Sequence, residues 1–162
     1  MTGATTTTIP PAFAEMTVQI TLSATRVVAG TPIKGNLVVT NPGPAVNLTR
    51  LEPSGCMPGF AVYLTNGTIS NPPAFATDCT SGPLVIAHGT TTLPFTVLTT
   101  YGACTTESAE TTPNLPLCLS TGMPQLPPGT YWATIAWSEA VRLPQPRRVT
   151  VTLRAGPPIP SG

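Results

Sequence analysis

Apolar residues alternate with Thr, Ser, Gln and other polar residues along most of this chain. This is the pattern of β-strands that have one buried face and one solvent-facing face. The alternation is clearest near the end, where Tyr131, Ala133, Ile135 and Trp137 occupy every second position. It predicts strands over residues 17–24, 33–41, 46–52, 60–65, 84–87, 91–100, 130–138 and 147–154.

Turn signals separate the predicted strands, and no segment has a helical period. Asn66-Gly67 favours a type I′ turn and predicts a hairpin between residues 60–65 and 68–70. Pro94 lies inside a predicted strand, so we expect that strand to carry a bulge or to lie at a sheet edge, because proline has no N–H to donate. Seven or eight short strands without intervening helices predict an all-β fold, an immunoglobulin-like antiparallel β-sandwich with one long loop.

The two ends of the chain are rich in threonine and proline and cannot form a core. We expect residues 1–15 to act as a tether, residues 16–155 to form one sandwich domain, and residues 156–162 to act as a proline-rich tail. The 162-residue chain is 41% hydrophobic and only 8% charged. Its periodic aliphatic residues and low net charge favour a folded domain over disorder.

The charge pattern argues against nucleic acid as a partner. Lys and Arg number seven, the net charge is +1, and only Arg147 and Arg148 are adjacent, whereas phosphate binding needs a dense basic surface. No apolar run approaches the ~18 residues of a membrane span. The first residues also lack the basic start and the apolar stretch of a signal peptide.

Four cysteines indicate disulfide bonds. Cys56, Cys79, Cys104 and Cys118 include no Cys-x-x-Cys pair, and His88 is the only histidine, so a zinc site lacks its ligand pattern. Of the three pairings we favour Cys56–Cys79 and Cys104–Cys118, because each closes a loop-rich segment between predicted strands. Each such loop would add ~3 kcal/mol in the chain-entropy model.

Disulfides predict an oxidising compartment. We therefore expect a secreted or cell-envelope protein whose export signal or membrane anchor lies outside these residues. Such an anchor would be its only contact with a membrane, and we expect the protein to be a monomer.

Two short stretches resemble a known class of surface protein. Ala29-Gly30-Thr31-Pro32-Ile33, followed by Val39-Thr40-Asn41-Pro42-Gly43, resembles the second strand of bacterial immunoglobulin-like or fibronectin-like modules. Leu126-Pro127-Pro128-Gly129-Thr130-Tyr131 resembles the start of their penultimate strand. This resemblance covers about residues 17–154 at the level of pattern. The chain is also similar to exported actinobacterial proteins of unassigned role.

The resemblance implies that the Tyr131 hydroxyl bonds the backbone near the start of its strand, as in a tyrosine corner. It implies binding or spacing rather than chemistry. The chain departs from the family pattern in two ways: no cysteine pair occupies the usual opposed sheet positions, and the loop over residues 102–128 is unusually long.

Catalytic residue patterns are missing from the sequence. His88 is the only candidate general base at neutral pH, Asp78 is the sole aspartate, and no Gly-x-Ser-x-Gly motif occurs. The six carboxylates are scattered, without the spacing of a calcium loop or the pairing that a glycosidase needs. We therefore expect no enzyme activity, no metal and no cofactor.

Four residues are candidates for a binding surface. Trp132 lies on the strand face opposite the core residues and Tyr63 has a similar place on its own strand, while Leu115 and Leu117 lie in the long loop. Exposed aromatic residues mark contact surfaces for carbohydrate or protein. The alternative, which we favour for Trp132, is that it packs beneath the 102–128 loop.

These observations predict a non-catalytic structural or adhesive module that presents loops 71–82 and 102–128 to a protein or a cell-wall glycan. One alternative is a protease inhibitor that inserts the loop between Cys104 and Cys118, with Leu115-Pro116-Leu117 at its tip. Another is an accessory domain of an enzyme whose catalytic part lies outside these residues.

Overall fold

The computed structural model describes residues 13–75, 78–106 and 115–156, and almost all of their regular structure is β. In chain order the elements are β1 (Thr17–Leu22), β2 (Arg26–Val28), β3 (Ile33–Asn41), β4 (Val46–Asn47), α1 (Leu48–Leu51), β5 (Phe60–Thr65), β6 (Val85–Ile86), β7 (Gly89–Val97), β8 (Gly129–Trp137) and β9 (Val149–Arg154). Every predicted strand overlaps one of these, although the one over residues 46–52 overlaps β4 in its first two residues alone.

Seven of the strands form two sheets around one hydrophobic core. The first sheet has the order β1-β3-β7 and the second the order β2-β9-β8-β5. Neighbouring strands are antiparallel, except that β2 runs parallel to β9. The short strands β4 and β6 pair separately. The prediction of an all-β fold with antiparallel sheets is confirmed.

The chain changes sheet at the end of the first predicted strand, residues 17–24. The Ser23 N–H donates to the Lys34 carbonyl in the first sheet at 2.8 Å, and the Thr25 carbonyl accepts from Thr152 in the second, also at 2.8 Å. The chain therefore crosses from one sheet to the other between Ser23 and Thr25. Alternation alone cannot locate such a crossing, because the inward side faces the same core before and after it.

The predicted alternation selects the core residues correctly. Leu37 and Val39 of β3 are fully buried, as are Tyr131 and Ala133 of β8. Each buried aliphatic side chain contributes about 1.5–3 kcal/mol to the free energy of unfolding. The two sheets also contribute the buried residues Val18, Ile20, Val62, Leu64, Val97, Ile135, Val151 and Leu153.

Tyr131 makes the backbone contact that the resemblance predicted. Its ring is 1% exposed, and its hydroxyl donates to the Pro127 carbonyl at 2.7 Å. Burial raises the pKa of the hydroxyl above its ordinary value, and the nearby Tyr101 adds a smaller electrostatic increase. The hydrogen bond fixes the chain just before β8 to the core.

Pro94 lies on an edge strand, as predicted. It belongs to β7, which in the described part of the chain pairs with β3 alone within its sheet, and it lies opposite Asn36. Edge placement leaves the proline nitrogen facing away from the ladder.

The predicted strand over residues 46–52 is wrong beyond its first two residues. The Asn47 side chain accepts the Thr49 N–H at 3.1 Å and caps α1, which begins at Leu48. An asparagine that bonds the backbone two residues ahead stabilises a helix start over a strand. Leu48 is nevertheless buried. The alternation therefore predicted the burial of Leu48 correctly and its backbone conformation incorrectly.

The predicted hairpin after β5 is reduced to a single bridge, between Thr65 and Ser70. The Asn66 N–H bonds the Ile69 carbonyl at 2.9 Å and closes the turn. The return strand cannot continue, because Pro72 and Pro73 have no N–H to donate to a ladder.

The folded domain begins earlier than predicted. Phe13, which the predicted tether over residues 1–15 includes, is fully buried, and its carbonyl accepts the Met16 N–H at 3.0 Å. A large aromatic residue therefore joins the core ahead of β1. Residues 1–12 of the tether and 157–162 of the tail lie outside the described residues.

Both favoured disulfides are present. Cys56–Cys79 has a Cα–Cα distance of 5.2 Å and Cys104–Cys118 one of 5.0 Å. Two disulfides are typical of an oxidising environment outside the cytoplasm. Within the described residues, no helix has the length and apolar character needed to cross a membrane.

Candidate binding site between the open strand edges

Asn71 joins the open edges of the two sheets. Its buried side chain lies between β5 and β7, both of which are edge strands. Oδ1 accepts the Leu64 N–H of β5 at 2.8 Å, and Nδ2 donates to the carbonyls of Leu98 at 2.7 Å and Thr100 at 2.8 Å, just beyond β7. The Asn71 N–H also donates to the Leu64 carbonyl at 3.1 Å. The Asn71 side chain therefore links the two strand edges by hydrogen bonds, as a strand placed between them would.

Backbone groups next to Asn71 face the same opening. Alternate residues of a strand direct their N–H and C=O groups to the same edge. Leu64 bonds Asn71 at the open edge of β5, so the N–H and C=O groups of Val62, two residues earlier, also point to that edge. In the same way, the bond from Asn71 to the Leu98 carbonyl indicates that the backbone groups of Thr96 point to the open edge of β7. Both Val62 and Thr96 line the opening. Unpaired edges of this kind can bind an extended chain.

Two grooves lie on either side of the segment 72–74. The edge groove, of about 350 Å³, extends from Tyr63 of β5 to Leu98. The loop groove, of about 580 Å³, is lined by Tyr101 and Leu115, among others. The segment between them contributes Pro72, Pro73 and Ala74 to both.

The two grooves are uncharged. Their described lining residues are aliphatic, aromatic, proline, glycine, serine, threonine and asparagine, with no Asp, Glu, Lys, Arg or His among them. Such a surface binds by apolar contact, and a few hydroxyl and amide groups orient the ligand.

A disulfide and short backbone pairings hold the wall of the loop groove. Cys104 is bonded to Cys118, and the Cys118 N–H donates to the Thr105 carbonyl at 2.9 Å. Farther in, the Tyr101 N–H donates to the Pro124 carbonyl at 2.9 Å. Leu115 therefore lies on a braced segment, although the loop belongs to neither sheet.

Three of the four predicted surface residues lie at this end of the molecule. Tyr63 borders the edge groove and Leu115 borders the loop groove, so the structure brings them to opposite sides of the proline segment. Leu117 is 59% exposed and is not among the lining residues of either groove.

The fourth residue, Trp132, lies on the outer face of the second sheet and is partly buried. The Arg148 guanidinium carbon lies 4.5 Å from the centre of its ring, which is a cation–π contact. Residues 107–114 of the long loop lie outside the described residues. Packing of that loop on Trp132 therefore stays a prediction.

The ionisable residues are dispersed. His88 is exposed, and its Nδ1 lies 2.9 Å from the Gly43 carbonyl oxygen. The buried Glu52 carboxylate accepts the Val141 N–H at 2.7 Å, and Glu139 accepts a hydrogen bond from the Ser54 hydroxyl at 3.1 Å. Within residues 13–75, 78–106 and 115–156, no three His, Cys, Asp or Glu residues form a group that could hold a metal ion.

Asn71, Leu98 and Tyr101 were not predicted from the sequence as individual site residues, although Asn71 begins the predicted recognition loop 71–82. Leu98 follows the last inward residue of β7, and Tyr101 lies between the predicted strand 91–100 and the predicted loop 102–128, so alternation assigns neither of them a role. Pro72-Pro73 was the one available signal. Paired prolines end a hairpin strand, and the residue before them can then bond other segments.

No protein-family model matches the chain, and no curated protein is detectably similar to it in sequence.

Proposed function

We propose that the protein is a non-catalytic, extracytoplasmic binding module that presents its loops to a protein or a cell-wall glycan. The observation that carries this proposal is the pair of uncharged grooves at the open strand edges, formed by loop segments that Asn71 and the Cys104–Cys118 disulfide hold in place. Recognition sites are commonly built from loops on a rigid sandwich.

The strand order supports an immunoglobulin-like module. In that fold one sheet contains strands A, B and E and the other contains C, F and G. The orders β1-β3-β7 and β9-β8-β5 correspond to A-B-E and G-F-C. The hydrogen bond from Tyr131 to Pro127 is consistent with a tyrosine corner in strand F. Both features favour the predicted kinship with exported bacterial surface modules.

The disulfides support a place outside the cytoplasm. Both bridges close loops, and the bridge at Cys104 braces the proposed binding surface itself. Bridges of this kind persist where the environment is oxidising. Secretion or attachment to the cell envelope follows as part of the proposal.

The proposal is tested by binding to two probes, insoluble peptidoglycan in a pelleting assay and a displayed library of random peptides. We expect at least one probe to bind. Leu98→Ser, which alters the edge groove, should weaken that binding tenfold or more. Leu51→Ser is the matched control, because Leu51 is 46% exposed on α1 and Leu98 is 53% exposed. Equal weakening by the two substitutions, or no binding to either probe, would contradict the proposal.

A second candidate is a protease inhibitor, favoured by Leu117, which is 59% exposed beside the disulfide-bonded Cys118. An exposed apolar residue on a braced loop can enter a protease specificity pocket. An inhibitor incubated with a panel of serine and cysteine proteases stays intact and blocks turnover, whereas an ordinary loop is cut. If inhibition is seen, Leu117→Asp should abolish it and Leu119→Asp, at a 44% exposed leucine nearby, should not.

A further inference from the structure

The outer face of the second sheet carries a set of cross-strand rows that the proposed groove site does not use. The register aligns Thr65, Trp132 and Thr150 in one row. A neighbouring row contains Thr130, Thr152 and Arg26, and Val28 pairs with Arg154 beyond it. These residues alternate with the core residues of the same strands, so their side chains point away from the core.

Three arginines on this face have no carboxylate partner among the residues that the structure describes. Arg26, Arg148 and Arg154 are all exposed, and among the described residues none of them forms an ion pair. Strands β2, β5, β8 and β9 contain no Asp or Glu. The charge of this sheet is therefore of one sign, although the net charge of the whole chain is only +1.

The described carboxylates lie elsewhere. Glu52 is buried against Val141. Asp78 and Glu139 line a cavity beside the Cys56–Cys79 disulfide, and Glu15 precedes β1 of the other sheet. Charge separation of this kind leaves the arginines available to an external anion.

The arginines are spaced along the face and one of them is held in position. Arg148 and Arg154 are six residues apart along β9 and the residue before it, a distance of about 20 Å in an extended strand. Threonine hydroxyls from Thr150 and Thr152 lie between them. The Trp132 ring beneath the Arg148 guanidinium, at 4.5 Å, restrains that side chain.

This arrangement fits an acidic polysaccharide better than other polyanions. Guanidinium groups bind carboxylates with two parallel hydrogen bonds, and threonine hydroxyls can both donate to and accept from sugar hydroxyls. Three spaced cations are few for the dense phosphate charge of nucleic acid. Stable binding to an anionic membrane surface uses clusters of four to eight Lys or Arg residues, more than this face supplies.

We propose that the outer face of the second sheet is a docking surface for an acidic polysaccharide, with Arg26, Arg148 and Arg154 binding its carboxylates. This surface is separate from the proposed groove site, although Tyr63 lies next to both. It does not require the grooves to bind anything.

The test uses the full chain and two polymers with the same sugar backbone, polygalacturonate, whose carboxyl groups are ionised, and its methyl ester, whose carboxyl groups are neutral. We expect the protein to bind polygalacturonate and to bind the ester at least tenfold more weakly. The triple variant Arg26→Gln, Arg148→Gln and Arg154→Gln should lose tenfold or more in affinity for polygalacturonate. Its thermal unfolding midpoint should fall by no more than about 5 °C, because the three side chains are exposed and, among the described residues, the Arg148–Trp132 contact is the one side-chain interaction that is lost. Each of the three single variants should also lose affinity for polygalacturonate, by a smaller factor than the triple variant.

A matched control removes three positive charges from other surfaces. Lys34→Gln, Arg50→Gln and Arg142→Gln together change the net charge by the same amount, and we expect polygalacturonate affinity within twofold of the wild type. Leu98→Ser should also bind polygalacturonate as the wild type does, which separates this surface from the groove site.

Four results would overturn the proposal. They are no binding of polygalacturonate, equal binding of the ester, equal loss in the control triple variant, and equal or tighter binding of a single-stranded oligonucleotide or of anionic lipid vesicles at the same ionic strength. Each would mean that the face is a solvated surface or a nonspecific cationic one.

Discussion

Asn71 and Thr99 are buried polar residues, and each side chain bonds backbone groups that are distant in sequence. The Thr99 hydroxyl donates to the Thr31 carbonyl at 2.9 Å and accepts the Gly30 N–H at 2.8 Å. Asn71 does the same between β5 and the chain beyond β7. Among the described residues every buried side-chain nitrogen and oxygen has a partner. These two residues therefore define how the sheets meet at this end.

Replacing Asn71 should be costly, because its partners would stay buried without hydrogen bonds. We expect Asn71→Ala to lower the free energy of unfolding by about 3 kcal/mol, since each unsatisfied buried group costs about 1–3 kcal/mol. Asn36→Ala on the solvent face of β3 is the control and should change it by no more than about 0.5 kcal/mol. Urea unfolding measures both, and similar values for the two variants would show that Asn71 does not connect the sheets.

Tyr131 predicts how stability depends on alkaline pH. Burial and the neighbouring Tyr101 raise the pKa of the folded hydroxyl above the ordinary value of 10.0. Below that value the hydroxyl is neutral in both states and its contribution to stability is complete. As pH rises further, the unfolded chain ionises first, so stability falls until the pH passes the folded pKa.

The matching variant is Tyr131→Phe. It should lose about 1 kcal/mol at neutral pH, from the missing hydrogen bond to Pro127, and its stability should fall less steeply than that of the wild type between about pH 9 and 11. Urea unfolding across that range gives both quantities. Parallel curves for the two proteins would argue against a raised pKa.

At the scale of elements, the two disulfides brace different parts of the molecule. The bridge between Cys104 and Cys118 supports Leu115 at the loop groove, whereas Cys56–Cys79 closes a separate loop. Removing either bridge should reduce stability by about 3 kcal/mol. Only removal of Cys104–Cys118 should also weaken ligand binding.

Paired alanine variants test this difference. Cys104→Ala with Cys118→Ala should lower both the unfolding midpoint and the affinity for the ligand found by pelleting or display. Cys56→Ala with Cys79→Ala should lower the midpoint alone. If both pairs reduce affinity alike at a temperature where both are folded, the brace has no specific role at the groove.

The strands show what a sequence can predict at this scale. Alternation placed β3 and β8 almost to the residue, because one face of each strand is buried and the other is solvated. Alternation could not predict α1, because the Asn47 cap outweighs an apolar period of two residues there. It also could not predict the crossing at Ser23–Thr25, because that depends on which sheet lies nearest. Of the predicted surface residues, Tyr63 of β5 and Leu115 of the long loop lie beside the two grooves, and their part in binding stays a prediction. Asn71 was missed because its partners at Leu98 and Thr100 are distant in sequence.

For the whole molecule, the central claim is that the open edges of β5 and β7, with the loops between them, form the binding surface. The deciding measurement is amide hydrogen exchange on the protein alone and on the protein saturated with the peptide or soluble peptidoglycan fragment that binds it. We predict slower exchange at Val62 and Thr96, whose amides face the groove, and over residues 98–106, with β1 and α1 unchanged. Slower exchange confined to β1 or α1, with Val62 and Thr96 unaffected, would contradict it.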